Sequence, residues 1–225
     1  MDQNAGPDGL TEWSARTSIA IGPWDGEPAV CNLYSCLKGP DSIRRLFRAA
    51  RASPGIPLSF PAIFPDTLAP VVSTAADGER ELSMMRWGFP PPPKGNRPVT
   101  NVRNVTSSFW RAWLKPECRV LVPVTSFCEY TDSTPKVPHW FALAETRPLF
   151  AFAGIWRPWT GTRKGETGEH RLYSFLTTES NGVVGPIHQK AMPVLLTTEA
   201  EFDAWLTAPT EEAIFGCKGR WLTMR

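Results

Sequence analysis

The sequence predicts a single α+β domain in which strands predominate and short helices lie at the periphery. Its 225 residues, 42% of them hydrophobic and 20% charged, suit one globular domain with a sizeable core. Short apolar runs of strand length recur through the middle of the chain, and 23 prolines favour many short elements joined by turns. Because strands do not alternate with long helices, we expect no βαβ units.

The segment before residue 31 lacks a core pattern. Residues 1–29 contain several glycines and prolines but no sustained apolar period, which is typical of a flexible leader. We therefore expect residues 1–30 to form a leader outside the core and residues 31–225 to form the domain.

Helices are predicted at a few places only. Residues 41–51 carry apolar side chains at helical spacing, and Asp41 or Ser42 suits the N-cap. Residues 199–206 place aromatic and apolar side chains behind acidic residues that favour a helix N-terminus. Residues 107–114 suggest one or two helical turns. Shorter helical or turn segments are expected at 178–185 and 211–215.

Strands are predicted wherever a short apolar run is bounded by turn residues. The predicted strands are residues 69–73, 82–87, 119–124, 139–144, 149–156, 172–177 and 193–197.

Composition excludes several classes of protein. No apolar stretch approaches 18 residues and no secretion signal is evident, so we expect a cytoplasmic protein. The 5 cysteines are odd in number and lack CxxC spacing, which favours a reduced compartment over a disulfide scaffold or a zinc ribbon. A net charge of +2 and a pI near 8.3 permit binding to an acidic polymer without requiring it.

Familiar nucleotide, zinc-protease and hydrolase motifs are absent from the sequence, which contains no GxGxxG, GxxxxGK[ST], HExxH or GxSxG. The three histidines and the cysteines show no ligand spacing, so neither a metal nor a cofactor is expected. Polar residues in apolar surroundings remain as candidates. They are Cys31, Asn101, Arg103, Glu129 and His188.

Four of these candidates have two interpretations each. Glu129 is either a buried carboxyl group suited to proton transfer or an ordinary solvent-facing residue at a strand end. His188 is either a general acid or base or a structural loop histidine. Asn101 and Arg103 either position a substrate and clamp a phosphate or are simply loop and surface residues. The other cysteines are expected to be small buried apolar side chains, and they are Cys36, Cys118, Cys128 and Cys217.

Separated motifs join these candidates in one order along the chain. They are Cys-Asn-Leu-Tyr-Ser (31–35), Met-Arg-Trp-Gly-Phe-Pro (85–90), Asn-Val-Arg-Asn (101–104), Cys-Arg-Val-Leu-Val-Pro (118–123), Ser-Phe-Cys-Glu-Tyr (126–130), Phe-Ala-Gly-Ile-Trp (152–156) and Ile-His-Gln-Lys-Ala-Met-Pro (187–193). In these motifs the chain resembles the SOS response-associated peptidase (SRAP) family, which shields abasic sites in single-stranded DNA through a covalent DNA–protein crosslink. The resemblance implies the same function, with possible autopeptidase and lyase activity.

The resemblance also implies roles for the site residues. Cys31 would be the first residue of the working protein, so that its free amine forms a Schiff base with the aldehyde of an opened abasic sugar and its thiol closes a thiazolidine. Asn101 would hold the amine, Glu129 would exchange protons with it, and His188 would act on the oxygen of the sugar ring.

DNA contacts follow from the same resemblance. Arg103 and Trp87 would contact the phosphate backbone and stack against bases, and Tyr130 would stack where many members have Trp. Leu33 stands where many members have a phosphate-contacting Arg. That contact would then come from elsewhere, with Arg86 and Lys94 as candidates. The expected protein is a monomer that acts on single-stranded DNA containing abasic sites and associates with the nucleoid when bound to DNA.

The 30 residues before Cys31 conflict with a free amine at that position. One hypothesis is that translation starts at Val30, through a GTG codon read as Met that is then removed. The rivals are self-cleavage of the leader, consistent with the autoproteolysis proposed for the family, and a retained leader with an inactive crosslinking site. Two other functions stay open: a conventional cysteine peptidase that uses Cys31, His188 and Glu129, and a non-catalytic module that binds single strands.

Overall fold

The computed structural model describes residues 11–13, 31–91, 97–214 and 216. The strands are β1 (Thr11–Trp13), β2 (Leu33–Cys36), β3 (Arg51–Ala52), β4 (Phe60–Ile63), β5 (Leu68–Thr74), β6 (Arg80–Trp87), β7 (Asn101–Val102), β8 (Arg119–Val124), β9 (Ser126–Tyr130), β10 (Pro138–Ala142), β11 (Phe150–Arg163), β12 (Glu166–Thr178), β13 (Met192–Pro193) and β14 (Leu195–Leu196). The α-helices are α1 (Pro40–Phe47), α2 (Ser108–Arg111) and α3 (Glu199–Thr207), and a 3₁₀ turn spans Pro116–Cys118.

Two sheets share these strands. The smaller has the order β1-β10-β9-β2-β4 and is antiparallel throughout, whereas the larger runs β13-β12-β11-β8-β5-β6-β3 with β7 and β14 attached. Strand β12 also pairs in parallel with β6, so the strands β12-β11-β8-β5-β6 close on themselves as a barrel. All six residues of β8 are buried, as expected for a strand with both faces covered.

The predicted strand-dominated α+β class is confirmed. The strand predicted at 119–124 matches β8, whereas the runs at 149–156 and 172–177 are the buried halves of a longer hairpin formed by β11 and β12. The outer half of that hairpin is polar and half-exposed, so it carries no apolar run to reveal it. Strands β2 and β9 lie outside the predicted set, although β9 carries Glu129 and Cys31 lies two residues before β2.

The helix predicted at 41–51 is shorter and begins earlier. Pro40 occupies the first helical position, which its fixed φ suits, and Gly39 is the N-cap in place of the predicted Asp41 or Ser42. Arg48 adopts a left-handed conformation that ends the helix after Phe47.

The other helical predictions are close to the structure. Helix α3 begins with a capping box between Thr198 and Glu201, while α2 provides the helical turn predicted within 107–114. Residues 179–187 consist mainly of turns, and residues 210–214 are helical.

Part of the leader pairs with the smaller sheet. Strand β1 lies antiparallel to β10, with Trp13 opposite Trp140. The sequence predicts no element there, and the rest of the first 30 residues lies outside the described residues. The prediction that residues 1–30 are absent from the working protein stays a prediction.

The C-terminal part of the domain is held by a buried arginine. Arg119, with no exposed surface, donates hydrogen bonds to the carbonyl oxygens of Leu114, Trp205 and Ala208 and to Thr210 Oγ1. Its guanidinium also lies 5.1 Å from the centre of the Trp205 ring. The arginine thus supplies donors to carbonyls at the end of α3 that would otherwise be buried without partners.

Replacing Arg119 by Met is expected to lower the free energy of unfolding by about 3 kcal/mol, because several carbonyl oxygens lose a charged donor and stay buried. Urea denaturation monitored by tryptophan fluorescence measures this difference. Arg45→Met is the matched control, since Arg45 is exposed on α1. Equal stability of the two variants would contradict the assigned role.

Candidate functional site

Cys31 and Glu129 are brought together by the pairing of β2 with β9. The two strands are antiparallel, with Leu33 opposite Cys128, so the residues just before β2 lie beside the end of β9. The backbone nitrogen of Cys31 donates a hydrogen bond to Glu129 Oε2 at 3.2 Å. Cys31 has φ +39°, which is uncommon for a residue other than glycine. Residues 98 positions apart in the sequence therefore form one contact at the core of the site.

Glu129 has a carboxyl group whose pKa lies close to neutral pH. It is 2% exposed, and burial raises its pKa to about 8, against which the hydrogen bond from the Cys31 backbone acts only partly. Among the described residues, its second oxygen Oε1 has no hydrogen-bond partner. A carboxyl group with this pKa can both give and take a proton near pH 7, so the buried interpretation of Glu129 describes the structure.

The thiol of Cys31 is held in its protonated form. Burial, followed by the nearby Glu129 and Cys128, raises the pKa of this thiol well above its ordinary value. Sγ lies 3.9 Å from the carbonyl oxygen of Leu33. The site thus contains a neutral thiol beside a backbone nitrogen that is hydrogen-bonded to the carboxyl group of Glu129.

His188 reaches the site from the turn segment that precedes β13. It is 2% exposed, its ring hydrogen-bonds to the backbone of Tyr130, and its own amide donates to the carbonyl of Val184 at 2.8 Å. Burial is the largest cause that lowers the pKa of the imidazole, so the ring is neutral near pH 7. Nε2 is buried and has no partner among the described residues, so it is available to a substrate.

Asn101 reaches the site from β7, which pairs in parallel with β12. Its Nδ2 donates to Thr100 Oγ1 at 3.0 Å, and that hydroxyl lies 3.5 Å from Asn32 Oδ1. Asn32 directly follows Cys31. Asn101 is therefore linked through Thr100 to the residue after Cys31, and His188 is linked to the backbone of the residue after Glu129.

Trp87 and Arg86, predicted to contact DNA, lie in the interior. Trp87 is fully buried, with its ring 5.1 Å from that of Phe175. Arg86 is 7% exposed and donates to the carbonyl of Asp66 and to Glu166. Contact with DNA would require either side chain to leave these partners.

Arg103 and Tyr130 lie nearer the surface. Arg103 is exposed and donates to the carbonyl oxygen of Lys190, which ties the loop after β7 to the loop that carries His188. Tyr130 is half-buried, and burial raises its pKa to about 12. Leu33 is 1% exposed and offers no phosphate contact, while Lys94 lies outside the described residues.

Several groups around the candidate site are not among the residues that the sequence predicted. Thr100 and Asn32 belong to its hydrogen-bond network, and Asp132, Lys136 and Lys190 lie close enough to His188 to influence its charge. Asn32 lies within the motif at 31–35, whereas a lone threonine, an aspartate or an exposed lysine carries no motif that could have identified it.

The raised pKa of Glu129 predicts how stability depends on pH. The folded chain holds a proton that the unfolded carboxyl group releases near its ordinary pKa of 4.5, so the folded state binds more protons between about pH 4.5 and 8. The free energy of unfolding should therefore fall as the pH rises through this window. Urea denaturation of the full chain at several pH values measures the slope. Glu129→Gln, which does not titrate, should flatten it, and equal slopes would contradict the prediction.

Within the described ranges, no group of His, Cys, Asp and Glu side chains is arranged to hold a metal ion. None of the helices in that same part of the chain has the length and apolar character needed to span a membrane.

Comparison with known proteins identifies relatives of this fold. The family model described as SOS response associated peptidase (SRAP) matches residues 30–215. A protein from Bordetella bronchiseptica has a similar crystal structure, with a TM-score of 0.64 and 23% identity over 82% of this chain and 92% of that one. A protein from Bacteroides thetaiotaomicron matches with a TM-score of 0.63 and 21% identity over 83% and 86% of the two chains.

A phage-related protein from Bordetella bronchiseptica matches with a TM-score of 0.62 and 19% identity over 81% of this chain and 85% of that one. At these identities the solved structures establish the fold. No protein of curated function matches the sequence.

Proposed function

Because the chain belongs to the SOS response-associated peptidase (SRAP) family and so to the DNA-damage response, we propose that it crosslinks covalently to abasic sites in single-stranded DNA through Cys31. The observation that carries the proposal is the hydrogen bond of 3.2 Å between the Cys31 nitrogen and the buried carboxyl group of Glu129. With Val30 still attached, burial raises the pKa of this carboxyl group to about 8, and a carboxyl group in contact with that nitrogen can move protons on and off it during imine formation.

The reaction begins with the opening of the sugar. The cyclic abasic deoxyribose opens when its ring oxygen is protonated and its anomeric hydroxyl loses a proton, which yields an aldehyde and a free hydroxyl group. His188 serves this step, because its buried Nε2, which has no partner among the described residues, takes the proton of the anomeric hydroxyl and then gives it to the ring oxygen.

The amine of Cys31 then attacks the aldehyde carbon. Glu129 takes a proton from the attacking nitrogen and delivers one to the carbinol oxygen, which leaves as water and gives the Schiff base. The Cys31 thiol adds to the imine carbon as its proton passes to the imine nitrogen. This addition closes the five-membered thiazolidine. The net change is aldehyde plus aminothiol to thiazolidine plus one water.

This chemistry requires a working protein in which Cys31 is the first residue. While Val30 is attached, the Cys31 nitrogen is an amide whose lone pair is delocalised and does not attack an aldehyde. Removal of the preceding residues, by the choice of start codon or by cleavage, is therefore part of the proposal. It leaves the contact with Glu129 available to a free amine.

The geometry supports crosslinking better than a conventional cysteine peptidase. A peptidase thiol is activated by a neighbouring imidazole that lowers its pKa, whereas the Cys31 thiol is held protonated and lies against the Leu33 carbonyl. Glu129 contacts the Cys31 nitrogen, whereas His188 hydrogen-bonds to the backbone of Tyr130. The carboxyl group of Glu129 is therefore placed to exchange protons with the amine of Cys31 rather than to orient His188.

DNA would approach the surface where Arg103 and Tyr130 lie. The exposed guanidinium of Arg103 suits a phosphate and the half-buried ring of Tyr130 suits a base, a combination used by proteins that bind single strands.

The deciding experiment is an intact-mass measurement under denaturing conditions. A chain that begins at Cys31 is incubated with a single-stranded oligonucleotide that contains one abasic site. The expected product has the summed mass of protein and DNA less one water, and the same DNA without the lesion gives none. A chain of verified N-terminus that forms no adduct would refute the proposal.

A further inference from the structure

Thr100 joins three of the motifs that carry the site residues. Its carbonyl oxygen accepts a hydrogen bond from Trp87 Nε1 at 3.1 Å, and its hydroxyl contacts the side chains of Asn101 and Asn32. Because Thr100 is 6% exposed, its polar atoms depend on partners inside the protein. A residue with no recognisable motif of its own thus lies where these motifs meet.

The hydroxyl of Thr100 fixes the direction of this network. It has a single proton, which it donates to Asn32 Oδ1 at 3.5 Å. The neighbouring Asn101 presents its NH₂ group to the same hydroxyl, and Nδ2 donates to Thr100 Oγ1 at 3.0 Å, the shorter of the two contacts. The NH₂ group and the oxygen of a planar carboxamide diverge from the same carbon. Asn101 Oδ1 is therefore directed away from Thr100.

We infer that Thr100 is a positioning residue that orients the Asn101 carboxamide, so that its oxygen accepts a hydrogen bond from the amine of Cys31. The inference rests on the crosslinking function proposed above. An acceptor on the amine leaves the nitrogen lone pair free for the aldehyde carbon. With the carboxamide reversed, an N–H donor would face the amine and engage that lone pair. Thr100 thus acts on the rate of imine formation through Asn101.

The second branch of the network acts on the nucleophile itself. Asn32 directly follows Cys31, whose backbone has the unusual φ of +39°. A hydrogen bond from Thr100 to Asn32 restrains the peptide that leads from Cys31 into β2. The same hydroxyl therefore orients the side chain of Asn101 and restrains the segment that carries the amine of Cys31.

The test compares Thr100→Val with Thr100→Ser in the chain that begins at Cys31. Valine keeps the shape and loses the hydroxyl, so the rate of adduct formation with abasic single-stranded DNA should fall by about 10- to 100-fold, the loss typical of a misplaced catalytic group. Serine keeps the hydroxyl and should restore the rate to within about threefold of the unmodified chain. Affinity for undamaged single-stranded DNA should not change in either variant.

Thr125→Val is the matched control. Thr125 is buried as well, and its hydroxyl contacts Ser35 and the backbone nitrogen of Leu37 rather than Asn101. This variant should lose stability comparable to Thr100→Val and keep its crosslinking rate. Thr100→Val that reacts as fast as Thr125→Val would overturn the inference while the crosslinking function stands.

A structural readout separates the two proposals if the unmodified chain forms no adduct. The side-chain amide signal of Asn101 in a ¹⁵N spectrum, assigned by its loss in Asn101→Asp, should exchange slowly with solvent in the unmodified chain and in Thr100→Ser. It should exchange at least tenfold faster in Thr100→Val, because the Thr100 hydroxyl that accepts from Nδ2 is gone. An unchanged exchange rate in Thr100→Val refutes the orientation by Thr100, whatever the chain does to DNA.

Discussion

A chain that begins with Ala in place of Cys31 is expected to form no adduct that survives denaturation, although it keeps a free amine. The amine alone can form only the Schiff base, which water reverses. The thiol is what closes the ring, and in the structure it belongs to the same residue as the nitrogen beside Glu129. The expected effect is complete loss of the stable adduct in the intact-mass spectrum.

Borohydride reduction distinguishes loss of the thiol from loss of the site. Reduction traps a Schiff base as a secondary amine, so Cys31→Ala should give a covalent product with borohydride and none without it. Cys36→Ala removes another buried thiol from β2 and should crosslink like the unmodified chain. A stable adduct from Cys31→Ala without reductant would place the crosslink on another residue.

The amine is tested by leaving the leader in place. A full chain whose mass shows that residues 1–30 are present should form neither the stable nor the trapped adduct, because its Cys31 nitrogen is an amide. If the full chain crosslinks as fast as the chain that begins at Cys31, the α-amine of Cys31 is not the nucleophile.

Glu129→Gln is expected to slow adduct formation by about 10²- to 10⁴-fold, the usual contribution of a general acid–base group. Gln keeps the size of the side chain and can still accept a hydrogen bond from the Cys31 nitrogen, but it cannot take and return a proton. The burial that raises the pKa of Glu129 to about 8 is what suits this carboxyl group to the task near neutral pH. Single-turnover rates with excess protein measure the effect.

Glu145→Gln is the control for this substitution, since Glu145 is exposed beyond the end of β10 and should tolerate the change. Affinity for undamaged single-stranded DNA should be equal in both variants and in the unmodified chain. A Glu129→Gln rate within threefold of the Glu145→Gln rate would remove Glu129 from the chemistry and leave it a structural role.

Much of the fold follows from local patterns. Strand β8 is buried on both faces, so its continuous apolar run predicts its bounds, and the apolar spacing within Pro40–Phe47 predicts α1. The polar outer half of the β11–β12 hairpin has no such pattern. Its residues are held by pairing with each other, and by an ion pair between Arg163 and Asp66, which lies far away in the sequence.

The fold class, the family and the residue types of the candidate site follow from the amino-acid sequence alone, because motifs and apolar periodicity are local properties of the chain. Which of two interpretations holds for Glu129 is visible only in the folded chain, because its burial and its contact with Cys31 depend on the register of β2 against β9. The same cause placed Trp87 in the core and Thr100 among the site residues. The pairing of strands that are distant in the sequence determines which side chains are buried. Burial in turn determines the pKa values, and which polar atoms lack a partner among the described residues, on which the proposed chemistry depends.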